Sequence, residues 1–220
     1  MLLVAPVHDG TRTPASRWGY CCVLALVSGS LGCPRAPGPE ICPRVEPGEL
    51  VISELRGNNG TSDEIGQYIE IYNAADRTVD LQGVWINQIG QNGARHELLI
   101  RDSLKIAAGG YAAIGTGLER PKVWIDYAIT PSTELIRHTA GTVEIESCDE
   151  LIDFVDYDPN TIPSAGTLAC GSASTPPDAD ANDLVGSGCW CVDAEPPEPG
   201  SPFPGIGLPG TPGGANRCSG

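Results

Sequence analysis

Hydrophobic and polar positions alternate over short stretches from Leu50 to Tyr157. In Gln67 to Tyr72, Ile69 and Ile71 fall on one side of an extended chain, and Tyr68, Glu70 and Tyr72 fall on the other. That is the period of a half-buried strand. Asn73 to Thr78 supplies turn formers and Leu81 to Ile86 resumes an apolar run, so the stretch predicts two strands joined by a polar loop. The same pattern predicts strands over 50–55, 68–72, 84–89, 96–100, 111–115, 123–127, 142–145 and 151–157. Turn clusters such as Gly57-Asn-Asn-Gly60 and Gly90-Gln-Asn-Gly93 separate them, and no window of a dozen residues holds a helical period. Short strands at close spacing predict an all-β sandwich, with Trp85 and Trp124 as core or strand-packing aromatics.

On either side of this region the pattern changes. Arg12 and Arg17 flank a short apolar run, Tyr20 to Val27, which leads through small residues to Cys33. This is the layout of an export signal, and the run is too short to span a bilayer as a helix. Ser30-Leu-Gly-Cys33 resembles a bacterial lipobox, in which the signal is cut before a cysteine that is then lipidated; Ser30 stands where Leu, Val or Ile is usual. Plain secretion, with Cys33 in a disulfide, is the alternative. Pro34, Pro37, Pro39, Pro43 and Pro47 then make an extended tether. Beyond Leu168 the chain is rich in Ser, Pro, Gly and Asp and predicts long loops that bury little of themselves. The expected layout is a signal over 1–32, a tether over 33–49 and a sandwich over 50–218, loop-rich from residue 169 onward.

Nine cysteines are too many for a reducing compartment unless they bind metal. No Cys-x-x-Cys pair exists to hold zinc. With Cys21, Cys22 and Cys33 set aside, Cys42, Cys148, Cys170, Cys189, Cys191 and Cys218 remain, an even set suited to three disulfides. The connectivity stays open, although Cys42 and Cys218 near the two ends form a symmetric pair. The expected arrangement is long C-terminal loops pinned by these bridges, since a cross-link limits the unfolded chain where a core cannot.

The formal net charge is −15, and from Gly141 onward the acidic residues are opposed by a single base, Arg217. Such a surface repels nucleic-acid phosphates and attracts cations. Asp178, Asp180 and Asp183 space carboxylates along a loop, a pattern that suits calcium, although the glycine and distal glutamate of an EF-hand loop are missing. Apart from this possible calcium, no cofactor is implied. His96 and His138 have no flanking metalloprotease or nucleophile-elbow context.

Several motifs also occur in a fixed order. Ile52-Ser-Glu54 is followed by Tyr68-Ile-Glu-Ile-Tyr-Asn73, by Asp80-Leu-x-Gly83-x-Trp85, by Gly109-Gly-Tyr111, by Ile152-Asp-Phe-Val-Asp-Tyr157, and by Gly210-Thr-Pro-Gly-Gly-Ala-Asn216. Together they resemble the lamin-tail domain of bacterial secreted and surface proteins. The resemblance implies an immunoglobulin-like β-sandwich and no reaction, and function has to be argued from sites rather than from the fold. The expected function is therefore a non-enzymatic, lipid-anchored module of the cell envelope that meets a protein or glycan partner, not nucleic acid. A calcium-dependent adhesion or matrix module and an accessory subunit of a secreted hydrolase are the alternatives.

Overall fold

In the computed structural model the described residues are 41–57, 67–116, 124–129, 140–158, 161, 167–193 and 210–218. The expected signal and lipobox with Cys21, Cys22 and Cys33 lie outside them, as do Val123 and His138. The described residues belong to one compact unit spanning 39–220. Its strands, in chain order, are Leu50–Arg56 (β1), Tyr68–Asn73 (β2), Val79–Asp80 (β3), Trp85–Gly90 (β4), Arg95–Leu99 (β5), Lys105–Ile106 (β6) and Tyr111–Thr116 (β7). Then come Tyr127–Ile129 (β8), Gly141–Ser147 (β9), Glu150–Tyr157 (β10), Thr167–Cys170 (β11) and Trp190–Asp193 (β12), with one helical turn, Ala179–Asn182 (α1), before the last.

Alternation builds two main sheets. One has the order β12-β11-β1-β2-β7-β8, the other β10-β9-β4-β5, and β3 pairs with β6 in a small ribbon. Among the described strands every ladder is antiparallel except that of β7 with β8. Leu50, Ile52, Ile69, Ile71 and Ile114 from the larger sheet share one core with Ile86, Val143, Ile145 and Val155 from the smaller. The chain is an all-β sandwich whose interior is made by these two inner faces. Each such side chain contributes about 1.5–3 kcal/mol by leaving water.

Four sequence expectations need correction. β2 is not half-buried, because Tyr68 and Glu70 on its outer side are as fully enclosed as Ile69 and Ile71. The strand expected over 123–127 begins only at Tyr127; Trp124 and Ile125 instead pack across the outer side of the large sheet against Tyr68 and Ala113. The region from residue 169 is not only loop, since Thr167–Cys170 and Trp190–Asp193 extend the large sheet as β11 and β12. Each is four residues long and set among turn formers, too short for alternation to stand out.

The fourth correction concerns Cys42, which pairs with Cys148 and not with Cys218. Cys170 pairs with Cys189, and Cys191 with Cys218. Cys148 and Asp149 form the two-residue turn between β9 and β10, both at positive φ, the pattern of a type I′ hairpin. The turn presents Cys148 to the segment before β1. That segment is docked rather than free: Val45 enters the core, the Pro43 carbonyl accepts from Ser147 Oγ, and the Gly48 amide donates to the Ile152 carbonyl. Gly83 makes the passage possible. Its φ is +96°, and a Cβ there would lie 2.0 Å from the Ile41 carbonyl oxygen. Gly83→Ala is expected to lift residues 41–45 off the sandwich, read as faster amide exchange at Arg44 and Val45, at a stability cost of about 1–3 kcal/mol. Unchanged exchange would refute the steric argument.

Candidate functional site

The outer side of the large sheet carries two carboxyls that the fold raises above their ordinary range. Glu54 and Glu70 sit opposite one another on β1 and β2 and are fully buried. Glu54 accepts from Tyr68 OH at 2.6 Å and from the amide and hydroxyl of Thr211 at 3.0 and 2.8 Å. Glu70 accepts from Ser53 Oγ at 2.7 Å and from the Gly213 amide at 2.6 Å. Burial pushes Glu54 up to about 7 against the pull of these donors. Burial, and then the charge of Glu54, pushes Glu70 well above the ordinary carboxylate range. Perturbed carboxyls in a cleft are candidates for chemistry. These two are instead sealed beneath residues 210–218, and what they do is hold that strap.

A third buried carboxylate joins the sheets. β1 bulges between Ile52 and Glu54, which leaves backbone groups without ladder partners. Asp153 Oδ2 from β10 accepts from the Ile52 amide at 2.7 Å and from Asn182 Nδ2 at 2.9 Å. Asn182 also donates to the Ile52 carbonyl, and Asn216 donates to the carbonyls of Ser53 and Cys170. The edge of β1 beyond its pairing with β11 is thereby covered by side chains.

The three aspartates of the expected calcium loop lie around α1. Asp178 Oδ1 accepts from the Asp180 amide and caps α1, while Asp183 stands at the other end of that turn. Asp178 and Asp180 do line an open pocket of about 520 Å³ with Glu49 and Asp76, and Glu49 is paired with Arg77. Among the described residues, no group of three or more His, Cys, Asp or Glu side chains is placed to hold a metal ion.

The outer face of the small sheet is different. Since Ile86, Val143, Ile145 and Val155 point into the core, the alternate residues point away from it. Register arranges them in three rows. Leu99, Trp85, Glu146 and Leu151 form the first, Glu97, Asn87, Glu144 and Phe154 the second, and Arg95, Ile89, Thr142 and Asp156 the third. Trp85 is half-buried on the outer side of its strand, not in the core, and lines a pocket of about 300 Å³ beside the Cys42–Cys148 bridge and Asp149. Leu151 is 45% exposed.

Arg95 organises this face. From the third row of β5 its guanidinium reaches Glu146 at 2.6 Å, Glu97 at 3.3 Å and Glu144 at 3.6 Å. Because Glu144 and Glu146 belong to β9, it must lie across β4, above Asn87. Asn87 is 1% exposed, and neither atom of its amide has a hydrogen-bond partner. Burial raises Glu144 above the ordinary carboxylate range in spite of Arg95. Among the described residues, one cation thus faces Glu97, Glu144 and Glu146, while Asp156 on β10 accepts from Thr142 Oγ1. Sequence reading missed this constellation. Its only trace is Asn87-Gln88, two adjacent amides inside an apolar strand, of which one has to face outward.

No protein-family model matches the chain, and no curated protein matches it in sequence. The fold and the geometry of this face are therefore what a functional reading has to rest on.

Proposed function

We propose that this protein is an exported, lipid-anchored, non-enzymatic module of the lamin-tail type. It meets a protein or glycan partner at the cell surface through the outer face of its small sheet. The observation that carries this reading is that face: aromatic and aliphatic side chains are interleaved with carboxylates on a rigid sheet, over a buried amide with unmet hydrogen-bonding capacity. The carboxyls most shifted in protonation are spent on holding backbone, which supports a structural role for them.

Export is supported by the cysteines. Three disulfides belong to an oxidising environment, and the six cysteines from Cys42 onward satisfy one another, so none of them needs Cys33. Lipidation at Cys33 would place the anchor a few residues before Ile41, where the chain joins the sandwich beside Trp85. The test is the intact mass of the protein from its native membrane, before and after reduction. The expected mass begins at Cys33, includes a diacylglyceryl group, and rises by about two mass units for each of the three bridges. An uncleaved chain with every cysteine reduced would overturn the export reading.

A further inference from the structure

The geometry points to a basic, arginine-bearing peptide segment of a partner protein as the ligand of the small sheet's outer face. The inference rests on the function proposed above and names the partner for the same surface. Three observations carry it. First, the face already holds a guanidinium: the Arg95 side chain lies in a cradle made by Glu97, Glu144 and Glu146. A planar fork of donors suits this kind of recognition. Second, the cradle is oversupplied with negative charge. Among the described residues it offers three carboxylates to one cation, in a chain whose net charge is −15, so a second cation is drawn in by complementarity. Third, Asn87 beneath Arg95 has a buried carbonyl oxygen and a buried amide nitrogen without partners. A guanidinium from outside would donate to that oxygen, and a peptide carbonyl would accept from that nitrogen. The half-buried Trp85 and Phe154 supply apolar surface for the methylene stems of the incoming side chain. Arg95 is then an internal occupant that a partner's arginine joins or displaces.

The experiment uses the full exported chain and a fluorescein-labelled peptide of alternating arginine and serine, with an all-serine peptide as control, titrated at low and at physiological salt. The arginine peptide is expected to bind at least tenfold more tightly than the control. Glu144→Gln with Glu146→Gln should weaken it tenfold or more. Asp178→Asn with Asp180→Asn changes net charge equally at residues outside the face and should leave the affinity within twofold. Arg95→Ala, which removes the internal competitor, should tighten binding, and Trp85→Ala should weaken it. Thermal melts of each variant separate lost binding from lost fold. Equal binding of the two peptides, equal weakening by the two double variants, or weaker binding by Arg95→Ala would each overturn the inference. A chain that is lipidated and disulfide-bonded but fails this titration would refute only the partner class; a chain never exported would refute the function on which it rests.

Discussion

Asp153→Ala is expected to lower the free energy of unfolding by about 3 kcal/mol, whereas Asp153→Asn should cost little. The difference follows from what the carboxylate does. Its Oδ2 atom takes the Ile52 amide that the β1 bulge releases and also the side-chain amide of Asn182. Alanine removes the acceptor: the buried Ile52 amide is left unsatisfied, at about 1–3 kcal/mol, and Asn182 Nδ2 keeps only its bond to the Ile52 carbonyl. Asparagine keeps an oxygen in the same place. The loss falls on the contact between the two sheets, since Ile52 lies on β1 and Asp153 on β10. The Cys170–Cys189 bridge still pins the loop that carries Asn182, so the variant should fold, with a midpoint lower by roughly 6–12 °C for a chain of this size. Chemical denaturation of the two variants beside the native chain checks this; alanine and asparagine variants of equal stability would show that the hydrogen bonds contribute nothing.

Asp153 also shows why part of this molecule was legible in the sequence and part was not. Strands that alternate over six or more residues, such as Tyr68–Asn73 and Gly141–Ser147, announce themselves because one side is apolar whatever covers the other. The acidic residues inside the strand motifs mislead that reading. Glu54, Glu70 and Asp153 look like solvent-facing positions, yet each is within 4% of complete burial. Their donors come from far along the chain: Thr211 lies 157 residues from Glu54, Gly213 lies 143 from Glu70, and Ile52 lies 101 from Asp153. Alternation within a strand carries no information about such partners. The Gly210 to Asn216 motif reads as a loop, and the strap it forms is what closes the outer side of β2. Asn73 behaves similarly. It ends its strand as a turn former should, and its side chain also reaches the carbonyls of Arg77, Ile106 and Ala107, holding the β3–β6 ribbon that is too short to see.

The candidate face was less legible still, and for a different reason. Glu144, Glu146 and Glu97 appear as the polar halves of their strands, which is correct. What makes them a cradle is the order β9-β4-β5, which sets two strands far apart in sequence on either side of Asn87. β4 and β5 form a local hairpin, but the pairing of β9 with β4 is made across about fifty residues and leaves no local pattern. Trp85 illustrates the same limit, because an aromatic in a strand reads as core until the register shows which side it takes.

Stability is expected to fall as pH rises from 5 to 8. Burial pushes Glu54 and Asp153 up to about 7 in the fold, against the hydrogen bonds that Tyr68, Thr211, Ile52 and Asn182 donate to them. Burial and the neighbouring Glu54 push Glu70 above its ordinary value as well. An unfolded carboxyl titrates near 4, so between about pH 4 and pH 7 the folded chain binds more protons than the unfolded one. The stability these groups contribute is therefore complete below the unfolded values and is lost as pH climbs through the folded ones. For Glu54 and Asp153 together the loss across pH 5 to 8 is on the order of 5 kcal/mol, a midpoint shift of roughly 10–20 °C. The excess of surface carboxylates acts in the same direction, through self-repulsion, so the wild-type slope alone does not identify the cause. Glu70→Gln does. A glutamine there can accept from the Gly213 amide with its oxygen and donate to Ser53 Oγ with its nitrogen, so both contacts persist while the titrating group disappears. It also relieves Glu54 of a neighbouring charge. The Glu70→Gln chain is expected to melt at a higher temperature than the native chain at pH 8, to match it near pH 4, and to lose midpoint less steeply between the two. Amides of Thr211 and Gly213 should be better protected in the variant at pH 8, once intrinsic exchange is corrected for. An unchanged slope would assign the pH dependence to the surface and leave the buried carboxyl pair without a role in it.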